Sequence, residues 1–362
     1  MVDTVKLIFE ENEYTISSNE LRFRSSEKGI QRAIRNPSAS ELKAGLYLPR
    51  ITQLKRPNIG GMRTSLVVEF SAPKLVYGNN FDELVDADFD KVIDELLKAL
   101  EYLRISIDRQ TILNAKVAGW HPSKNVILAD IFGCKTVINA LHGVDASKTY
   151  NVQKTDFSRG EALHFHCNSK DIAFYDKLAD LRRGKISDKR AIENDNRIQV
   201  EALDGVKDLS VLRFELRLSG VQAVRRTFNI EPTFQALFSS TLSREVLWQH
   251  WQKLTQNLDY LALNSMQPLA ILESYLTEHP DATPQAALAA TASLYIANQA
   301  GAGALKATLN ARYGAHAWRR IKTMLQAPEA NRHKFIMETS KAIDEFEPTE
   351  LAMLSHKSLY KL

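Results

Sequence analysis

The segment Leu-Arg-Phe-Glu-Leu-Arg-Leu constrains the fold more than any other part of this chain. It occupies residues 212–218 and alternates apolar and charged side chains without a break. Because successive side chains of a β-strand point to opposite sides, a strand over residues 210–218 would turn its apolar side chains toward a core. Its three charged side chains, Arg213, Glu215 and Arg217, would then share an open face.

A hairpin is predicted about thirty residues earlier. Two short apolar runs, residues 162–167 and 172–175, are separated by the turn-forming sequence Asn-Ser-Lys-Asp at residues 168–171. His164 and His166 stand two positions apart in the first run, so their side chains would point to the same side of the sheet. The sequence therefore predicts two imidazoles on one face.

The remaining pattern predicts an α+β protein with a largely antiparallel sheet and an all-α C-terminal domain. The further predicted strands cover residues 65–75, 114–120 and 126–129, the last two flanking a His-Pro-Ser turn. The predicted helices cover residues 86–103, 134–141, 241–263 and 305–327, with one more beginning at the Thr-Pro pair of residues 283–284. The charged segment 177–196 is expected to be either helical or mobile.

We expect three regions: a basic N-terminal segment at residues 1–64, the α+β core at 65–235, and the helical domain at 236–362. Between residues 20 and 63 there are ten Lys and Arg against three acidic residues, and between 303 and 341 there are eight against two. Segregated positive charge is typical of a protein that binds a phosphate backbone, so both ends are expected to contact DNA. A solvated surface is the alternative.

Composition points to an ordinary globular protein, with 44% hydrophobic and 25% charged residues. We expect no membrane partner, because the chain has neither an apolar run of membrane-spanning length nor a signal-peptide core at its start. Its two cysteines, Cys134 and Cys167, do not form a CxxC motif. A reducing, cytoplasmic environment is therefore expected.

Tyr175 is the candidate nucleophile. A phenol attacks poorly unless a cation or a metal lies close to it, and Lys177 would lie on the same side of the strand. The alternative is an ordinary half-buried strand tyrosine.

The candidate metal ligands are His164, His166, Glu215 and His121. Neutral imidazoles together with a carboxylate suit a divalent ion, which we expect to be Mg²⁺ or Mn²⁺. Arg213 and Arg217 could hold phosphates by bidentate hydrogen bonds. Structural histidines and a cross-strand ladder of ion pairs are the alternatives. The sequence has no Walker A loop, GxGxxG, GxSxG or HExxH motif, so common NTPase, dinucleotide-binding and hydrolase functions lack support.

Several segments, taken in order, resemble the gene II/X family of phage and plasmid replication proteins. They are SAPKLVYGNNF at residues 71–81 with the acidic helix after it, the strand ending at Trp120-His121, IAFYDKLADL, and LRFELRL. The resemblance covers roughly residues 65–240. It implies a replication-endonuclease-like core that nicks one strand of a rolling-circle origin and later rejoins it.

The resemblance also implies roles for particular residues. The family's nucleophilic tyrosine corresponds to Tyr175, with Lys177 beside it, and the glutamate of its arginine-flanked strand corresponds to Glu215. Similarity to the wider class of His-hydrophobic-His nucleases would give His164 and His166 a metal role. In many of those nucleases the tyrosine follows the histidines by some tens of residues and lies on a helix, whereas here the separation is nine. If His164 and His166 are not the His-hydrophobic-His motif of those nucleases, His121 would be a principal metal ligand.

The expected partners are origin DNA, both duplex and single-stranded, and a host helicase. Two other functions remain open at this point. One is a DNA-binding replication regulator without catalysis, and the other is a relaxase of plasmid mobilisation, which uses the same chemistry.

Overall fold

A computed structural model gives the arrangement of most of the chain. It describes residues 1–17, 23–25, 29–38, 46–128, 134–142, 146–158, 160–183, 210–255, 268–300, 302–324 and 334–351, together with residues 40, 41, 44 and 144. The segment 177–196, expected to be helical or mobile, therefore falls partly outside the described residues, as do parts of both basic segments. Within the described part of the chain, no helix is long and apolar enough to cross a bilayer.

A ten-stranded antiparallel sheet organises the molecule, in the order β3-β4-β5-β6-β1-β8-β12-β11-β10-β9. Its strands are β1 (Val2–Glu10), β3 (Arg24–Ser25), β4 (Gln31–Arg35), β5 (Arg50–Asn58), β6 (Gly61–Ser71), β8 (Lys116–Leu128), β9 (Lys154–Phe157), β10 (Ala162–His166), β11 (Lys170–Asp176) and β12 (Ser210–Ser219). A separate two-stranded ribbon pairs β2 (Thr15–Ile16) with β7 (Ile105–Ser106). The predicted hairpin of β10 and β11 and the predicted strand β12 are confirmed.

Strand β1 joins the two halves of this sheet, because it pairs with β6 on one side and β8 on the other. The segment 1–64, predicted as a basic N-terminal segment, thus contributes β1, β3, β4 and β5 to the same sheet as segment 65–235.

Strand β8 corrects the prediction of two short strands around a His-Pro-Ser turn. It runs unbroken through His121, Pro122 and Ser123, and β12 pairs with it from Leu128 to Gly119. A proline lacks the N–H that a central strand needs. Here the irregularity is absorbed where the register of β1 against β8 shifts, next to Pro122.

Helices pack against the sheet. In chain order they are α1 (Ala72–Tyr77), α2 (Phe89–Tyr102), α3 (Arg109–Asn114), α4 (Cys134–His142), α5 (Lys177–Arg183), α6 (Val221–Phe228), α7 (Phe234–Leu237), α8 (Ser240–Thr255), α9 (Pro268–Glu278), α10 (Pro284–Ala300), α11 (Ala302–Tyr313), α12 (Ala315–Met324) and α13 (Lys334–Glu345). The predicted α+β class is therefore confirmed, with a mostly helical C-terminal region after the sheet.

The core forms where the apolar side of β11 and β12 meets α8. Phe174 and Phe214 stack with ring centroids 4.7 Å apart, and the Trp251 ring lies 6.2 Å from each. Alternation along both strands sends these rings to one side and sends Tyr175 and Glu215 to the other. The packing of the helices therefore determines which side of the sheet is left for polar chemistry.

Candidate functional site

A row of polar side chains crosses five neighbouring strands on the side of the sheet away from α8. Register places Tyr175 of β11 opposite Arg213 of β12, Ala173 opposite Glu215, and Asp171 opposite Arg217. On the far side of β11, Ala173 is also opposite His164 of β10. Because Ala173 carries only a methyl group, the side chains on both sides of it have room to approach one another.

Tyr175 donates a hydrogen bond from its hydroxyl to Oε2 of Glu215 over 2.9 Å. Its side chain is almost buried. Burial and the neighbouring Glu215 carboxylate both raise the pKa of the Tyr175 phenol well above its ordinary value. The resting phenol is therefore protonated, and any reaction through its oxygen needs a proton acceptor, which Glu215 already supplies by position.

Glu215 is held ionised although it is only 2% exposed. Burial opposes ionisation, but Arg217 and His121 outweigh it and hold the pKa of the Glu215 carboxyl well below its usual range. Arg217 donates from Nε to Oε1 over 3.0 Å and from Nη2 to Oε2 over 3.2 Å. Nδ1 of His121 lies 3.3 Å from Oε1. Tyr175, Glu215 and His121 therefore form a continuous chain of groups able to pass a proton.

His164, His166 and Asp171 form a separate group that could hold a metal ion. One ligand atom from each lies within 4.8 Å of the others. Nδ1 of His164 is 3.1 Å from Oδ2 of Asp171, and Nδ1 of His166 is 3.4 Å from Oδ1. Nε2 of His166 lies 3.0 Å from Asp156, a second carboxylate that can orient the ring.

The predicted ligands are thus divided between two groups. His164 and His166 lie together as predicted, whereas Glu215 and His121 lie outside their group, and Arg217 bridges the two by approaching Asp171 to 3.5 Å. Asp171 was missed by the sequence analysis. The hairpin contained a signal for it, because register places Asp171 directly opposite His166.

The position predicted for Arg213 on an open face is wrong. Its side chain is 2% exposed and is bonded to Asp3 at 3.0 Å, to Ser123 Oγ at 2.8 Å and to the Asn80 carbonyl oxygen at 3.1 Å. This end of the polar side is covered by a small apolar cluster that joins α5 to a preceding loop and includes Phe81, Leu178, Leu181 and Val211. Arg213 therefore anchors the start of β1.

Lys177 is the first residue of α5 and not part of the strand, which corrects the predicted placement. It is fully buried, its Nζ lies 6.0 Å from the centre of the Tyr175 ring, and that Nζ has no hydrogen-bond partner among the described residues. Burial, assisted by the charge of Arg213, lowers the pKa of the Lys177 amine to about 7. An unsatisfied buried amine costs stability, so its presence beside Tyr175 points to a functional reason.

A cavity of about 240 Å³ opens beside these groups. Its walls include Glu161, His164, Tyr175, Asp180 and Arg217. The Arg217 side chain is 34% exposed, so a ligand in the cavity can meet both a guanidinium group and the phenol of Tyr175.

Comparisons with protein-family models, with curated proteins and with solved structures found no match for this chain. The interpretation of the site rests on its own geometry.

Proposed function

We propose that the protein is a DNA nickase that cuts and rejoins one strand through a covalent bond between Tyr175 and the 5′-phosphate. The observation that carries this proposal is the hydrogen bond from Tyr175 to Glu215 at the wall of a cavity that Arg217 and His164 also line. A phenol with a carboxylate as proton acceptor and a guanidinium beside it is what attack on a phosphodiester requires. Rolling-circle initiation is the biological role, in line with the gene II/X resemblance.

In the nicking step, the Tyr175 oxygen attacks the scissile phosphorus while its proton passes to Glu215. A bond forms between that oxygen and phosphorus, the bond to the 3′-oxygen breaks, and the 3′-oxygen leaves as a hydroxyl after taking a proton from solvent. His121 contacts the opposite oxygen of Glu215 and can take up the proton in turn. The phosphoester link keeps the bond energy, so the 3′-hydroxyl can reverse the step without ATP.

Two cations assist this step. Arg217 lines the cavity, so it can donate to the non-bridging phosphate oxygens as charge develops on them. The Lys177 Nζ lies 6.0 Å from the centre of the Tyr175 ring, and its positive charge would favour the phenolate over the phenol. Arg213 acts only indirectly, because its side chain is 2% exposed and both of its Nη groups are engaged, by the Asn80 carbonyl oxygen and by Asp3 and Ser123.

His164, His166 and Asp171 would hold the divalent ion, which when bound polarises the scissile phosphate. Imidazole nitrogen suits a first-row transition metal, whereas Mg²⁺ prefers oxygen ligands. Of the two expected ions, Mn²⁺ therefore fits this donor set better than Mg²⁺.

The test is the formation of a covalent adduct. The protein is mixed with Mn²⁺ and a pool of random single-stranded oligonucleotides labelled at the 3′ end, and adducts are separated on a denaturing gel. Wild type should acquire the label, and Tyr175→Phe should not. Tyr150→Phe is the matched control, because Tyr150 is also a buried, hydrogen-bonded tyrosine, 2.7 Å from His250. A wild-type protein that binds the oligonucleotides but never forms an adduct would favour the non-catalytic regulator.

A further inference from the structure

The polar side of the sheet does not end at the candidate site. From Ser219 of β12, two positions after Arg217, register passes to Gly119 of β8, to Lys6 of β1, to Glu69 of β6 and to Arg50 of β5. Directly opposed residues share a side of a sheet, so this row continues the side that carries Tyr175. The site and the N-terminal half of the sheet therefore share one surface.

Gly119 keeps this surface continuous at the junction of the two halves. A Cβ atom at this position would come within 2.8 Å of the Lys6 side chain. Lys6 can therefore lie flat across β8, with its stem over Gly119 and its ammonium group 3.3 Å from Glu69.

Positive charge dominates the surface beyond Gly119. Its cations outnumber its two acids, Glu10 and Glu69, and are Lys6, Arg32, Arg50, Arg56, Arg63 and Lys116. Glu69 pairs with Lys6 and Glu10 pairs with Arg63, so the acids offset only part of this charge.

The pairing of Arg56 with Arg63 is the most informative contact on this surface. The two arginines lie directly opposite each other on β5 and β6, and both are exposed. Like charges in this position destabilise a sheet. Glu10 offsets the charge of Arg63, whereas among the described residues no carboxylate pairs with Arg56, so the exposed Arg56 guanidinium is open to contact a phosphate.

Between these cations lies a shallow cavity of about 590 Å³. Side chains of Ile8, Leu54 and Val67 are among those that line it, together with Arg56, Arg63 and Lys116. Ile8 and Val67 are partly exposed and Leu54 is almost buried, and cations surround them. Such a surface suits an unpaired strand, whose base faces are open to contact while its phosphates lie at the rim, whereas a duplex keeps its base faces stacked inside the helix.

We propose that this surface, from Lys6 to Arg56, binds the single-stranded DNA that flanks the scissile phosphate. The proposal rests on the proposed nicking at Tyr175. Arg56 lies five strand spacings across the sheet from Tyr175, about 24 Å at roughly 4.8 Å each, and about twelve residues along the strand direction, about 40 Å at roughly 3.3 Å each. A stacked strand covers the resulting separation of about 46 Å in about fourteen nucleotides. The surface should therefore matter only for substrates whose flank reaches that length.

The first arm of the test measures binding without catalysis. Thymidine homopolymer affinity is measured over a range of salt in a Tyr175→Phe background, with and without the double change Arg56→Gln and Arg63→Gln. The double variant should bind about tenfold more weakly, and its salt slope should fall by about 1.4, since each single-strand phosphate contact contributes roughly 0.7. The matched control is Lys98→Gln with Arg109→Gln on and beside α2, which should change neither quantity.

The second arm measures adduct formation on one oligonucleotide selected from the random pool and shortened from either end. The Arg56 and Arg63 double variant should lose adduct yield only on substrates with a flank longer than about fourteen nucleotides. The proposed DNA-binding role of this surface would be overturned if homopolymer binding were unchanged, or if adduct yield fell equally on short and long substrates. Either result would leave the proposed nicking function standing. Equally tight wild-type binding to duplex, lost in the same variant, would overturn the single-strand assignment. Absence of any wild-type adduct would reject the nicking function itself.

Discussion

Two buried polar networks share the central strands of this sheet, and they differ in how completely they are satisfied. In one, Lys124 donates to Glu83 at 2.5 Å, to the Glu347 carbonyl at 2.6 Å and to Thr349 at 3.2 Å. The second oxygen of Glu83 accepts from the Asn125 backbone. This network is saturated, and it fastens residues 347–349 to β8.

The network around Tyr175 and Glu215 is equally buried but incomplete. The Lys177 amine has no hydrogen-bond partner among the described residues, and a cavity reaches the Tyr175 side chain and Arg217. Buried polar groups normally find partners, so an unsatisfied cation beside a tyrosine at a cavity wall is typical of a site that receives a ligand. The comparison therefore contrasts a saturated network with one whose unsatisfied cation and cavity support the proposed chemistry.

Breaking the saturated network should have the largest effect. Glu83→Gln leaves the Lys124 ammonium buried without a counter-charge, which should cost about 3 to 5 kcal/mol of unfolding free energy in denaturant titrations. Adduct yield per folded molecule should stay unchanged. The double change Glu83→Leu with Lys124→Met should recover most of the stability, because it removes both charges. A Glu83→Gln protein with normal stability but no nicking would reverse the roles given to the two networks.

Glu215→Gln should lower the nicking rate. A glutamine cannot take the Tyr175 proton, so the nicking rate in single-turnover assays should fall by about a thousandfold, within the range for loss of a general base. Homopolymer binding should change little. Glu83→Gln, which changes another buried glutamate outside the site, serves as the control, because its nicking rate per folded molecule should stay unchanged. Full nicking activity in Glu215→Gln would remove Glu215 from the proton path.

Lys177→Met should stabilise the fold while reducing nicking. The folded pKa of about 7 lies below the free value of 10.5, so the penalty for burying the charge is fully present below pH 7. It fades as pH rises from 7 toward 10.5. We expect Lys177→Met to gain about 3 to 5 kcal/mol below pH 7, from the difference between the two pKa values at about 1.4 kcal/mol for each pH unit, and to lose that advantage near pH 10.5.

The matched control for this prediction is Lys124→Met, which should destabilise the protein because it leaves Glu83 unpaired. Urea titrations of both variants across the pH range provide the measurement. If Lys177→Met were less stable than wild type below pH 7, the Lys177 amine would have a partner that satisfies it.

Of the changes proposed here, Asp156→Asn should have the smallest effect, and it should act on the affinity for Mn²⁺. Asp156 contacts His166 and would orient that imidazole toward a bound ion, so Mn²⁺ affinity should fall about 10- to 100-fold without being abolished. Asp171→Asn should weaken Mn²⁺ binding more, since Asp171 belongs to the group itself. Isothermal titration with Mn²⁺ distinguishes the two. Equal affinity in all three proteins would place the ion elsewhere.

The sequence predicted the elements whose pattern is local. The alternation in β12 and the turn between β10 and β11 were sufficient to place Glu215, His164 and His166 on strands with the correct sides. Asp171 was within reach of the same argument, because a hairpin register follows from its turn.

The features that the sequence did not predict depend on contacts between segments far apart in the chain. Arg213 looked open because alternation says nothing about what covers a face, and the cover comes from the loop at Phe81 and from α5. Continuity of β8 through Pro122 depends on pairing with β12, about ninety residues later. The place of β1 between β6 and β8 also had no local signal.

The most direct test of the account is to identify the atom that DNA becomes attached to. Wild-type protein that has reacted with the selected oligonucleotide and Mn²⁺ is digested with nuclease and trypsin, and its peptides are examined by mass spectrometry. We expect a nucleotide phosphate on the peptide DIAFYDK, residues 171–177, with Tyr175 as the modified residue. Attachment to any other peptide, or a cut strand with a free 5′-phosphate and no modified peptide, would contradict it.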